Sequence, residues 1–216
     1  MSGLAVPSPR AVLLLRGLRL EYLTVGWNLV EGVIAVAAGL AAGSIALIGF
    51  GIDSFVESFS GSVLIWRLRA EQRMADLASV QRIEDRARRL VAVSFVILAA
   101  YLTVDAALAL VGQERPAASP VGIFITTASI GVMWWLARAK RETALALGSR
   151  ALLHDAMQTA ACWWLSLVVL VGIGLNAVLG WWWADPVAAL GIAFLLAREA
   201  REAWEGDESV EGAEHD

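Results

Sequence analysis

The chain has 216 residues, 58% of them hydrophobic, with ten tryptophans and a mean hydropathy of +0.65. These values exclude an ordinary soluble domain and define an integral membrane protein. The net charge of -4 says little about partners, no nucleic-acid partner is expected, and Cys162 as the only cysteine leaves no intrachain disulfide.

Residues 1–20 place basic side chains on both sides of a short apolar run without a small-residue cleavage site, and read as a cytoplasmic N-terminal arm. A first apolar span from Tyr22 to Ala42 is long enough to cross a hydrocarbon core of about 30 Å. It carries Asn28 and Glu31 on one face, and Gly39 and Gly43 suit close helix packing. The second span, Ser44 to Trp66, follows after a tight turn and contains the stretch GFGIDSFVESFSG, with Asp53 and Glu57 four residues apart. The apolar residues of this span favour insertion by roughly 3 to 7 kcal/mol in total. Two ionised acids near the bilayer centre cost about 2.5 to 3.5 kcal/mol each, so the span only breaks even until something neutralises them. Their spacing puts both on one face, within reach of a shared partner.

After Trp66 comes an arginine-rich stretch that reads as a cytoplasmic loop, helical where span two outruns the membrane. Span three is Leu90 to Val111. Ser119 and Pro120 form an N-cap and first helical residue for span four, which runs to Ala137 and whose Thr126, Thr127 and Ser129 are expected to bond back to their own helix. A basic loop, RAKRETALALGSR, leads to span five, Ala151 to Leu175, which bears His154, Asp155, Gln158, Thr159 and Cys162. Trp181 to Trp183 mark an interfacial belt, and Asp185 with Pro186 supply an N-cap and first-turn proline for span six, ending at Ala197. Residues 199–216 read as an acidic, disordered cytoplasmic tail.

Of the 17 Lys and Arg residues, only Arg115 falls on the side opposite the rest. Both termini are therefore expected in the cytoplasm. The fold class is an all-α integral membrane protein of six transmembrane helices, with the spans in residues 21–198.

His154, Gln158 and Cys162 follow one another at steps of four, with Asp155 beside them. Set against Asp53 and Glu57, this stripe completes a four-ligand site for a divalent ion: Asp53, Glu57, Gln158 and Cys162, with His154, Asp155 and Glu31 as weaker candidates. A dication would offset both carboxylates, and by this reading no lysine or arginine lies within a span to do so. Protons are the other available neutraliser, so metal and proton compete for the same groups. An intramembrane enzyme built on His154 and Asp155 is disfavoured, because neighbours point about 100° apart on a helix.

The segments GSIALIGFGIDSFVESFSGSVLIWRLRAE, SRALLHDAMQTAACWWLSLVVLVGIGL and WWWADPVAALGIAFLLAREAREAWE resemble spans two, five and six of the cation diffusion facilitator (cation efflux) family. The resemblance implies a six-helix, usually homodimeric carrier, with no prosthetic group and no enzymatic activity, that exports Zn, Mn, Co or Fe ions in exchange for protons. Asp53 and Glu57 match the acidic half of the family's transport site. Gln158 stands where His or Asp is usual and Cys162 where Asp is usual, which implies a site with fewer charges and a softer donor. The family's C-terminal soluble domain is expected to be missing, because the stretch after span six is too short for one. A metal exporter in a bacterial-type inner or plasma membrane is the expected function. A membrane metal-binding or structural protein of the same architecture, without flux, is the alternative.

Overall fold

The computed structural model describes residues 9–72 and 77–211; the first part of the N-terminal arm and the last of the tail, 212–216, lie outside them. Among the described residues the chain forms six helices joined by turns: α1 (Pro9–Ala42), α2 (Ile45–Gln72), α3 (Leu77–Gly112), α4 (Pro120–Leu147), α5 (Arg150–Leu179) and α6 (Ala184–Glu211). Five of them, α1 to α5, are long and apolar enough to cross a membrane. The sixth falls short on its own: its uncharged run from Pro186 to Ala197 covers about 18 Å at 1.5 Å per residue, against a core of about 30 Å.

The helices outrun the expected spans because a polar sequence need not break a helix. The basic stretch after Ala137 continues α4 to Leu147, and only Gly148 and Ser149 separate α4 from α5. Gly148 ends α4 in the left-handed region at φ 67°, while the Ser149 hydroxyl accepts from Leu152 N to start α5. Likewise α6 runs through Arg198 to Glu211, so the tail is helical as far as it is described.

Large apolar side chains point outward, among them Val111 (85% exposed), Phe124 (72%) and Phe194 (71%). Such a surface suits lipid rather than water. Inside, α1 lies against α2 and α4, α4 against α5, and α3 with α6 closes the other side of α2 and α5. The α1–α2 contact depends on glycine: a Cβ on Gly51 would come within 2.8 Å of Val36 N, and one on Gly39 within 2.9 Å of Ile48 N. That close approach fixes the height of α2 along α1 two residues before Asp53. The expected turn between them is Gly43, at φ 68°, followed by Ser44.

Ser119 caps α4 as expected, its hydroxyl accepting from Gly122 N at 3.1 Å. Asp185 does something different from the expected cap of its own helix. Its carboxylate accepts from Ser44 Oγ (2.5 Å), Ile45 N (2.9 Å) and Ala46 N (3.5 Å), and so caps α2 from across the bundle. The same end carries two more ties between connections: Ala117 N to Ala42 O (2.8 Å) and Asn176 Nδ2 to Pro116 O (2.8 Å).

Candidate cation site

α2 brings Asp53 and Glu57 to its buried face, with 2% and 3% of each residue exposed. The α5 face that meets them is Asp155, Thr159, Cys162 and Ser166, all buried. These positions advance by four, three and four residues and therefore stay in line along a helix, whereas the stripe of fours through His154, Gln158 and Cys162 drifts around it. Cys162 Sγ lies 2.8 Å from Glu57 Oε2 and 3.4 Å from Asp53 Oδ2. A thiol has one proton to donate, so the two carboxylates compete for it. On the other side Asn28 Nδ2 of α1 donates to Glu57 Oε2 at 2.8 Å.

Three oxygens around this cluster are buried without a hydrogen-bond partner: Glu57 Oε1, Asn28 Oδ1 and Glu31 Oε1. Orphaned acceptors of this kind are costly in a low-dielectric interior unless a proton or cation meets them. Glu31 sits one turn from Asn28 on α1, itself buried, with Ser129 and Trp27 beside it. Ser129 is thus drawn toward the interior, where Ser166 Oγ also donates to it at 3.2 Å, while Thr126 and Thr127 bond back to Gly122 O and Ile123 O as expected. Among the described residues, no three His, Cys, Asp or Glu side chains are arranged as a ready coordination cage. The cluster is held together by hydrogen bonds.

The other candidates fall elsewhere. Gln158 is half-buried and accepts from Ser60 Oγ at 3.4 Å, and His154 is exposed. Both line a cavity of about 830 Å³ between α2, α3, α5 and α6, together with Asp155 and Glu199. Arg67, Arg88, Arg150 and Arg198 surround the same cavity, which marks the arginine-rich end of the bundle. It reaches Ser60, one turn from Glu57, and Ala161, the neighbour of Cys162.

Asp155 also faces inward, where it meets a residue assigned to a loop from the sequence. Lys140 of α4 is fully buried, with Nζ 2.5 Å from Asp155 Oδ2, 3.0 Å from Glu21 Oε2 and 3.2 Å from Thr159 Oγ1. The expectation that no basic side chain enters a span is therefore corrected. Asp155 is engaged with this lysine rather than with Asp53 and Glu57. The signal lay in the spacing: Met133, Leu136, Lys140, Ala144 and Leu147 recur at three and four residues, the period of one buried helix face.

Residues 22–205 match the cation efflux transmembrane domain, and the chain belongs to that family of metal cation transporters. No curated protein matches the sequence. Together with the five long apolar helices, this membership makes the chain an integral membrane protein that carries metal cations.

Proposed function

We propose that the chain exports a divalent transition metal, zinc first, in exchange for protons, and that Asp53, Glu57 and Cys162 hold the ion with the Asn28 carbonyl oxygen as fourth donor. The observation that carries this reading is the contact of two buried carboxylates with one buried thiol, beside orphaned oxygens of Glu57 and Asn28. Three hard oxygens and one soft sulfur in a four-donor set suit zinc better than manganese. Binding requires the thiol and the acids to lose protons, so each ion that arrives releases protons and each proton that returns weakens the ion's hold. Gln158, His154 and Glu199 then belong to the approach through the cavity.

The arginine-rich end of the bundle faces the cytoplasm in this reading, following the distribution of positive charge. The cavity opens there and supplies ions from inside the cell. A homodimer in a bacterial-type inner membrane is the expected setting.

The test is zinc uptake into liposomes containing the purified chain under an imposed pH gradient. Wild type is expected to accumulate zinc while Asp53→Ala stays at the level of empty liposomes. Equal uptake by the two sinks the assignment of the site. Zinc binding without gradient-driven uptake would instead identify a metal-binding membrane protein that no longer transports.

A further inference from the structure

Lys140 raises a question that the proposed zinc site does not answer. An ammonium has three protons to donate, and this one meets three oxygens: Glu21 Oε2 on α1, and Asp155 Oδ2 and Thr159 Oγ1 on α5. All four residues are buried, Glu21, Lys140 and Thr159 completely. Two carboxyl groups thus face one ammonium. Glu21 Oε1 is moreover buried with no hydrogen-bond partner. An acidic pocket with a spare oxygen and a single positive charge inside is the environment a divalent ion would complete.

Its position gives the nest a part in ion traffic. Asp155 belongs both to the nest and to the cavity wall. Seven residues along the same face of α5 lies Cys162, about 10 Å further in by helix rise. The nest thus adjoins the cavity through Asp155, with Glu21, Lys140 and Thr159 behind it.

We infer that Glu21, Asp155 and Thr159 form a second cation site beside the route in from the cavity, and that Lys140 is its tethered occupant, whose removal admits a divalent metal ion. In wild type the lysine takes the place of a mobile ion, and the buried column holds one metal at Asp53, Glu57 and Cys162. This inference rests on the proposed function for the inner site and for the route in from the cavity, while the zinc count at the nest itself is independent of both.

Zinc bound per chain, measured by equilibrium dialysis and elemental analysis on the full chain purified in detergent, tests it. Wild type and Lys140→Arg are expected to bind one zinc, Lys140→Ala two, and Lys140→Ala with Glu21→Gln one again. Adding Asp53→Ala separates the two sites: alone it should bind none, and with Lys140→Ala it should retain one. Zinc bound by Lys140→Ala but not by wild type would leave the nest standing and remove the inner site. The same count for Lys140→Ala as for wild type overturns the inference. If Lys140→Ala aggregates, added zinc or the joint change Glu21→Gln, Lys140→Met and Asp155→Asn should restore a monodisperse protein. Aggregation that neither one relieves overturns it equally.

Discussion

Asn28 is held at one end and open at the other. Its amide nitrogen donates to Glu57 while its carbonyl oxygen is buried and unpartnered. In this position it orients a carboxylate and, in the proposed site, would offer an oxygen to the same ion. Asn28→Ala is therefore expected to weaken zinc affinity by about 10- to 100-fold, the range seen when groups that orient metal ligands are removed. Calorimetric titration in detergent measures this, and an unchanged affinity would place Asn28 outside the site. In the proposed site Cys162 would set the choice of ion. Replacing the soft sulfur by a carboxylate in Cys162→Asp should move preference from zinc toward manganese, seen as a changed ratio of the two affinities. An unchanged ratio would mean that the thiol is only packing. Asp53 and Glu57 were legible from the sequence because acids in an apolar run have no inexpensive place to go. Lys140 was not, because it sits within a run of basic residues whose other members, such as Arg138 and Arg141, do face outward.

At the level of elements, helix ends show what local reading can reach. Ser119 followed by Pro120 is a cap made from neighbours in sequence, and the structure forms it as expected. Asp185 carries the same local signal, yet its carboxylate serves α2, more than a hundred residues away in the chain. Nothing in its immediate sequence encodes that partner. Asp185→Ala should accordingly lower the stability of the whole bundle by about 1 to 3 kcal/mol, combining a lost cap with charge-assisted hydrogen bonds. Thermal unfolding in detergent reports this as a lower midpoint; a midpoint equal to wild type would show that the contact contributes nothing. The face of α5 was misjudged for a related reason. Steps of four pick out polar residues but drift by about 40° each, so Gln158 and His154 turn toward the cavity while Asp155, Thr159 and Cys162 stay inward.

For the molecule as a whole, the all-helical membrane character followed from composition, and the order of helices from the apolar runs. The sixth helix shows the limit of that reading, because a short apolar run can be drawn into a bundle by its neighbours α3 and α5 without being long enough to span alone. The proposed exchange of metal for protons is likewise a property of the whole molecule, and it has a definite sign. Ligands must be deprotonated to bind, so lowering the pH must weaken zinc binding, by up to about tenfold per pH unit for each proton displaced. Zinc titrations at successive pH values check this. An affinity that does not change with pH would argue against proton exchange at the site.

The ties at the end opposite the arginine-rich one have a mechanical meaning. Asp185 to the start of α2, Ala117 to Ala42, and Asn176 to Pro116 fasten the α1–α2 turn, the α3–α4 connection, α5 and α6 to one another. They act as a latch. Any conformation that admits solvent from that side must separate several of these partners together, while the opposite end already contains an 830 Å³ cavity. In the proposed transport cycle these turn contacts, far from Asp53 and Glu57, would favour the form closed at this end.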